Sequence, residues 1–175
     1  MTIAVRILPA LLALIAGITD WRSRRIPNWL TVPALVIGVA VNAWLRGWAG
    51  ARDSLFGAGL GLLLLLPFVL LRSLGAGDWK LVGALGAFFG PSNLIAVLFA
   101  TALVAGLMAL LLVIWKGRLL QTLKNIGRLL AALFSFHLPG QELTLDDPQS
   151  AKVPFGVAVA IVVIVYTARQ TLGFP

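Results

Sequence analysis

Residues 94–115 read LIAVLFATALVAGLMALLLVIW, a run of twenty-two residues without a charged side chain. Crossing the hydrocarbon core of a bilayer as an α-helix takes about 20 apolar residues. A helix is the form expected for such a run, because it satisfies its own backbone hydrogen bonds where water is absent. This stretch therefore predicts a transmembrane helix and places the chain in the membrane class.

The composition of the whole chain agrees with that class. Of its 175 residues, 60% are hydrophobic and only 11% are charged, with a mean hydropathy of +1.00. A water-soluble domain of this size needs more charge to cover its surface. The sequence has no cysteine and one histidine. This excludes a disulfide framework, a cysteine nucleophile and a thiolate zinc site, and we expect neither a metal nor a cofactor. The chemistry that remains falls to six acidic residues.

Further apolar stretches extend the pattern outward from residues 94–115. We predict an all-α membrane protein, a single domain over residues 1–175. Its six transmembrane helices are expected at about 3–18, 29–45, 54–71, 79–90, 94–115 and 153–169. The shorter spans would extend into the interface or lie in locally thinned bilayer. The first stretch is also compatible with a cleaved signal peptide, which has a basic start and a short apolar region.

The distribution of basic residues predicts the orientation of these spans. With the N-terminus outside, ten of the fourteen Lys and Arg residues fall on the cytoplasmic side and four on the outer side. This asymmetry predicts a multi-pass protein of the inner (cytoplasmic) membrane with both termini outside. The net charge of +8 is then explained by topology and by contact with anionic lipids, and no nucleic-acid partner is expected.

The longest connection between predicted spans, residues 116–152, is expected to be cytoplasmic. Within residues 118–137, apolar side chains recur at helical spacing and polar side chains occupy the other face. The apolar positions are Leu119, Leu123, Ile126, Leu130 and Leu133, and the polar ones are Gln121, Lys124, Asn125 and Arg128. This pattern predicts an amphipathic helix that lies in the cytoplasmic interface.

Two of the six acids stand at the boundaries of predicted spans. Asp20 follows the first span and Asp78 precedes the fourth, so both are expected on the cytoplasmic side. A carboxylate at the membrane boundary is costly and is usually kept for function or paired, although each acid could also simply flank a helix and meet solvent. Close packing would bring the first and fourth spans together, and the motifs that permit it are Gly57-x-x-x-Gly61 and Gly86-x-x-x-Gly90.

Three short segments accompany these acids. A basic stretch follows Asp20 and leads into Ile26-Pro27-Asn28, and Asp78 stands in Gly75-Ala76-Gly77-Asp78-Trp79-Lys80-Leu81. The last predicted span opens with Lys152-Val153-Pro154-Phe155-Gly156. Glycines before an acid permit unusual backbone angles and let a second backbone, such as an extended peptide substrate, approach closely.

In this order, the three segments resemble the signatures of the prepilin peptidases, the type IV leader peptidases. The resemblance extends over essentially the whole chain, and it implies a membrane-embedded aspartyl endopeptidase of the Gly-x-Gly-Asp kind. It implies that Asp20 and Asp78 are the catalytic residues. The residues that it implies for substrate binding or for shaping the site are Gly75, Gly77, Lys80, Ile26, Pro27, Asn28, Pro154, Phe155 and Gly156.

The implied substrate is a prepilin or pseudopilin, with a short basic leader and a hydrophobic helix, cut at the cytoplasmic interface. Two carboxylates a few ångströms apart cannot both ionise cheaply, so they would share one proton. One would act as general base on a water and the other as general acid to the amide, and the sequence leaves open which is which. The chain resembles the short form associated with tight-adherence (Flp-type) pili. It lacks the cysteine-containing insertion of the long members that also methylate, which makes methyltransferase activity doubtful.

Other classes of protein remain open at this point. A small proton- or cation-coupled transporter could use Asp20 and Asp78 for ion binding, although a relay acid is expected deep within a span rather than at its end. A structural or assembly subunit without activity would make the three segments coincidental. A presenilin-like peptidase shares the Gly-x-Gly-Asp arrangement, but the Ile26-Pro27-Asn28 and Pro154-Phe155-Gly156 segments favour the prepilin type.

Overall fold

Helices are the only regular secondary structure in the described part of the chain. The computed structural model describes residues 3–70, 74–117 and 154–172, together with the isolated positions 124 and 127. These residues form α1 (Ile3–Ser23), α2 (Asn28–Leu70), α3 (Ala76–Trp115) and α4 (Phe155–Leu172), and they contain no strand. The all-α prediction is confirmed for these ranges. The predicted amphipathic helix at 118–137 lies outside them, apart from Lys124 and Gly127, which are helical.

Helix α2 folds back on itself at Gly47. This glycine has φ 61° and ψ −146°, a left-handed conformation that favours glycine. The Ser54 hydroxyl donates a hydrogen bond of 3.5 Å to the Gly38 carbonyl, across the break. In a straight helix, sixteen residues would separate these groups by about 24 Å. Residues 28–46 and 48–70 are therefore two antiparallel helical segments joined by a single residue.

Helix α3 reverses in the same way at Gly90, which has φ 71° and ψ 175°. A Cβ added to Gly61 would lie 3.0 Å from Val82 Cγ1 and 3.1 Å from Leu94 Cδ2, so both side chains meet α2 at one point. Twelve residues of straight helix would place them about 18 Å apart. Pro91 follows the reversal, at the start of a helical segment, where its missing N–H costs least. The described residues thus form six helical segments from four helices.

These segments differ from the predicted spans mainly at their connections. The loop expected between 45 and 54 is helical except for Gly47, and α1 continues five residues beyond 18, so that Asp20 lies in its last turn. Three helices, α2, α3 and α4, are long and apolar enough to cross a membrane, by length and composition. Large apolar side chains such as Leu63, Phe99 and Leu107 face outward from the bundle, as lipid contact requires.

Small residues form the contacts between segments. Gly57 and Gly86 approach so closely that a Cβ on either would overlap the backbone carbonyl of the other. Without water to drive association, helices in a bilayer gain from such close backbone packing. The glycine motifs therefore join the second half of α2 to the first half of α3, rather than the first and fourth predicted spans. Helix α1 instead packs against α4, where Gly17 meets Ala160.

Buried polar side chains donate hydrogen bonds to the backbone carbonyls that are left without helical partners at the break at Gly90. The Ala87 carbonyl would normally accept from the N–H of residue 91, but Pro91 has none. The Asn42 amide donates to the Ala87 and Phe88 carbonyls at 3.0 and 3.3 Å, and the Ser54 hydroxyl donates to Ala87 at 2.5 Å. Asn42 and Ser54 are both buried, so these bonds tie α2 to the reversal of α3.

Replacing Asn42 with Leu is expected to destabilise the fold by about 1–2 kcal/mol, because two carbonyls would lose a donor where water is absent. Thermal unfolding in detergent measures the effect. Asn93→Leu is the control, since the Asn93 amide makes a single bond to Phe89 at the same helix end and should cost less. An Asn42→Leu protein that unfolds at the wild-type temperature would show that these hydrogen bonds do not hold the reversal.

Candidate active site

Asp20 lies in the last turn of α1, where the helix is closed by an unusual residue. Arg24 has φ 52°, the left-handed conformation that usually ends helices at glycine. Its backbone N–H donates to the Asp20 carbonyl at 2.9 Å, which completes the final turn. Asp20 is only 7% exposed, which is unusual for an ionisable residue. A buried carboxylate needs hydrogen-bond donors, and these come from another helix.

The donors to Asp20 are backbone groups at the N-terminus of α4. Gly156 N–H donates to Asp20 Oδ2 at 2.9 Å, and the Val157 N–H, which is shared with the Pro154 carbonyl at 3.1 Å, contributes more weakly. The first N–H groups of a helix have no partner within it and favour negative charge nearby. A Cβ at Gly156 would lie 2.9 Å from Asp20 Cβ and 3.1 Å from Asp20 Oδ2. Glycine at 156 is therefore what lets α4 begin directly against this acid.

Asp78 is the third residue of α3 and also lies at a helix N-terminus. Gly75 caps the helix in extended conformation, and its N–H bonds back to the Asp78 carboxylate. This is the return bond of a capping box. The other carboxylate oxygen, Oδ1, is shielded from solvent and finds no hydrogen-bond partner among the described residues. Asp78 thus has one buried carboxylate oxygen without a hydrogen-bond partner among the described residues.

The fold brings these two acids together. Asp20 and Asp78 are 58 residues apart in sequence, yet the charge of Asp20 acts on Asp78. One acid ends a helix and the other begins one, so both carboxyl groups occupy the same end of the bundle. Two like charges that interact in this way raise the cost of ionising both groups at once.

The residues that follow Asp20 pack against the start of α3. A Cβ at Gly77 would lie 2.9 Å from the Ile26 carbonyl oxygen and 3.0 Å from its Cβ, so the two backbones touch. Lys80 Nζ donates to Asn28 Oδ1 at 2.9 Å. The Pro27 carbonyl accepts from the N–H groups of Leu30 and Thr31, which starts α2. The connection between α1 and α2 is therefore fixed to the helix that carries Asp78.

The remaining predicted site residues lie at the start of α4. Pro154 is buried, and its carbonyl accepts from the Val157 and Ala158 N–H groups, so it opens the helix. Phe155 is partly buried and packs against the apolar core. Pro154 and Phe155 set the direction in which α4 presents its first N–H groups to Asp20. Within the ranges that the structure describes, no group of three or more His, Cys, Asp or Glu residues could hold a metal.

Two residues near the site have roles that were not predicted from the sequence. Arg24 acts electrostatically on Asp20, whereas the basic stretch was explained only as a topology signal. The four-residue spacing of Asp20 and Arg24 is the signal that could have indicated this electrostatic interaction. Trp79 is partly buried, and its indole N–H donates to the Leu62 carbonyl at 2.6 Å, which fixes the start of α3 to α2. No sequence pattern indicates that bond.

Known proteins are similar to this chain over the part that contains both acids. The sequence model of the type IV leader peptidase family matches residues 7–110, more than half of the chain, and this range includes both acids. The prepilin leader peptidase/N-methyltransferase of Burkholderia pseudomallei is 39% identical over 117 residues, which cover 63% of this chain and 37% of that protein. The proteins of the same name from Xanthomonas campestris and Aeromonas hydrophila are 29% identical over 119 residues and 35% identical over 99.

The similar regions cover 41% of the Xanthomonas protein and 34% of the Aeromonas one, and 64% and 53% of this chain. The chain thus spans well under half the length of the curated relatives it matches. No solved structure matches it. The family match, the order of the three segments and the convergence of the two acids lead to one conclusion: the chain belongs to the type IV leader peptidase family.

Proposed function

We propose that this chain is an intramembrane aspartyl endopeptidase that removes the basic leader from prepilins or pseudopilins at the cytoplasmic membrane interface. Asp20 and Asp78 are its catalytic residues. The observation that carries the proposal is the convergence of these two acids, from different helices, at one end of a lipid-facing bundle.

The two carboxyl groups can together hydrolyse a peptide bond. One carboxylate takes a proton from a water, whose oxygen attacks the scissile carbonyl carbon. The other carboxyl gives its proton to the amide nitrogen as the C–N bond breaks. The N-termini of α4 and α3 hold the two carboxyl groups with backbone N–H donors, so the pair is in place before the reaction begins. Hydrolysis needs no group beyond the two acids and water.

The neighbouring residues hold this pair and leave room for a peptide. The contact of Gly77 with Ile26 and the bond from Lys80 to Asn28 keep the start of α3 beside the end of α1. Gly75 has no side chain next to Asp78, so an extended substrate backbone can approach that carboxylate closely. In this proposal these residues and the segment Pro154-Phe155-Gly156 shape the substrate groove, while the two acids perform the reaction.

The membrane placement supports cleavage at the inner interface. In this proposal each of the six helical segments crosses the inner membrane, and the outward apolar side chains face lipid. Exposed Arg22, Arg24 and Arg25 lie beside Asp20, where they would anchor this end at the anionic cytoplasmic leaflet. A prepilin inserted as a helix would present its leader junction at the same depth.

A C-terminal reporter fusion tests the orientation. With both termini outside, an enzyme that is active only in the periplasm should be active when fused after the last residue. The same reporter fused after Lys116, which follows α3 on the opposite side, should be inactive. Reversed activities would place the two acids at the outer surface and contradict cleavage at the cytoplasmic interface.

The substrate class rests on the family and on the names of the relatives. The similar proteins are named prepilin leader peptidase/N-methyltransferases. We assign only the peptidase half of that name to this site, because two converging carboxylates serve hydrolysis and do not explain methyl transfer. As in the short form of the family, the substrate we propose is a prepilin of the tight-adherence (Flp) type.

Co-expression with such a prepilin tests this function. Cells that contain both proteins should accumulate a shorter pilin, and N-terminal sequencing should place its first residue at the junction of the basic leader and the hydrophobic helix. Cells with the prepilin alone provide the reference size. Prepilins of both the Flp type and the type IV type that keep their full length beside abundant enzyme would contradict the proposal.

A further inference from the structure

We infer that Asp20 is the general base and Asp78 the general acid, and that Arg24 is the positioning residue that sets this difference. In the resting enzyme Asp20 carries the negative charge and Asp78 carries the proton. This assignment rests on the proposed peptidase function and goes beyond it, because the pair alone does not say which acid does what.

The hydrogen-bond donors around the two carboxyl groups are unequal. Asp20 accepts one full backbone hydrogen bond, from Gly156 N–H at 2.9 Å, and shares the Val157 N–H with the Pro154 carbonyl. An ionised carboxylate is an acceptor only, and such donors stabilise it. Asp78 receives one backbone N–H from Gly75, and its Oδ1 has no donor among the described residues. A buried oxygen without a donor disfavours the ionised form, whereas a protonated oxygen can itself donate to a substrate amide.

The helix dipoles do not decide between the two acids. Both acids meet a positive helix end, Asp20 at the start of α4 and Asp78 in the first turn of α3, but Asp20 also lies in the last turn of α1, whose negative end opposes its ionisation. The difference comes from the number of donors and from one nearby charge. That charge is Arg24, one helical turn after Asp20, and it acts on Asp20 electrostatically. Its left-handed backbone is bonded to the Asp20 carbonyl, which fixes where its side chain starts.

The other charged groups around the pair fit the same assignment. From α3, Asp78 itself faces Asp20, and the Lys80 ammonium is bonded to Asn28. From α4 come only backbone N–H groups, because its one charged residue, Arg169, lies in the last turn at the far end. The first half of α2 has no charged residue before Arg46. Among the described residues, Arg24 is therefore the cation that acts on Asp20.

With these roles the reaction balances. Asp20 accepts a proton from water while the water oxygen bonds to the scissile carbonyl carbon. Asp78 gives its proton to the leaving nitrogen as the C–N bond breaks. The products are a carboxyl group and an amine, and the proton on Asp20 returns to Asp78, directly or through solvent, to restore the resting pair. No oxidant, metal or second substrate takes part in these steps.

The test is the pH dependence of kcat/KM for a purified prepilin, measured for the wild type and for Arg24→Gln, Arg24→Lys and Arg25→Gln. The acid limb reports ionisation of the base, and the alkaline limb reports loss of the proton from the acid. Without the Arg24 charge, Asp20 ionises less readily. The acid limb of Arg24→Gln should move to higher pH by about half a unit, with the alkaline limb unchanged.

The two control variants should keep the wild-type profile. Lys at 24 retains the charge, and Arg25 is an exposed neighbour, whereas the cation that acts on Asp20 is Arg24. Movement of the alkaline limb alone in Arg24→Gln would reverse the two roles, and an unmoved profile would contradict the role of Arg24. An equal shift in Arg25→Gln would indicate an effect of the general surface charge rather than of Arg24 in particular.

A second measurement needs no variant. Salt screens an exposed charge such as Arg24, so high salt should move the acid limb of the wild type in the same direction as Arg24→Gln does. An acid limb that stays fixed from low to high salt would contradict the inference, even where Arg24→Gln does not fold. A wild type that cuts no prepilin at any pH would instead contradict the proposed function.

Discussion

Replacement of either acid by Asn is expected to abolish prepilin cleavage while the protein remains inserted and folded. Asn keeps the size of Asp, and at position 20 its carbonyl oxygen can still accept from Gly156 N–H. It cannot take or release the shared proton. We expect Asp20→Asn and Asp78→Asn each to reduce the rate by a factor of about 10³ or more. An immunoblot for precursor and mature pilin measures the loss in cells.

The double variant and one further acid provide the controls. Because the two carboxyl groups act as a unit, Asp20→Asn/Asp78→Asn should be little worse than either single change. Asp53 forms an ion pair of 3.1 Å with Arg46, and both side chains are about half exposed, at 52% and 45%. Such a pair contributes little, so Asp53→Asn should cleave normally. Mature pilin at wild-type levels in either active-site variant would contradict the catalytic assignment.

The second large effect is expected at Gly156, which touches Asp20 without taking part in chemistry. In Gly156→Ala the new methyl group would lie 2.9 Å from Asp20 Cβ, closer than atoms in contact allow. Either Asp20 or the first turn of α4 must shift, and the carboxylate then loses its alignment with the donors and with Asp78. A misplacement of about 1 Å at a catalytic group can cost about 10²-fold in rate, so a loss of this order in kcat is expected.

Two other glycines separate this effect from packing in general. Gly106 on α3 has open space around it, so Gly106→Ala should be silent in both activity and stability. A Cβ added at Gly17 would lie 2.8 Å from Ala160 Cβ, in the contact of α1 with α4, so Gly17→Ala should lower thermal stability with a smaller loss of kcat. An active Gly156→Ala, or a Gly17→Ala that loses as much kcat at equal stability, would show that Gly156 does not position Asp20.

The membrane class and the pair of acids could be predicted from the sequence because both leave local signals. Long apolar runs predict helices in lipid whatever their neighbours, and an acid at the edge of such a run is conspicuous. A reversal was expected between the spans at 29–45 and 54–71 and between those at 79–90 and 94–115, but its form, a single glycine in otherwise helical backbone, could not be predicted, because glycine is frequent in membrane helices. Residues 46–53 were therefore expected to be a connection, and they are helical apart from Gly47.

Most interactions within the site join residues that are far apart in the sequence, so the spacing of residues along the chain could not predict them. The contact of Asn28 with Lys80 joins residues 52 apart, and nothing local predicts it. The bonds from Gly156 and Val157 to Asp20 depend on how α4 docks against α1, and docking is decided by packing of the whole bundle. The spacing of four residues between Asp20 and Arg24 predicts an interaction if both belong to a helix, but the first span was expected to end at residue 18.

The central claim is that Asp20 and Asp78 together cleave a prepilin, and purified components test it most directly. The wild type, Asp20→Asn and Asp78→Asn are each reconstituted in vesicles of phosphatidylethanolamine and phosphatidylglycerol with one purified Flp-type prepilin, and the product masses are followed with time. The account predicts that the wild type releases the leader and that neither variant does so at a measurable rate. Equal cleavage by the wild type and by either variant, or an intact prepilin beside a folded wild type, would contradict it.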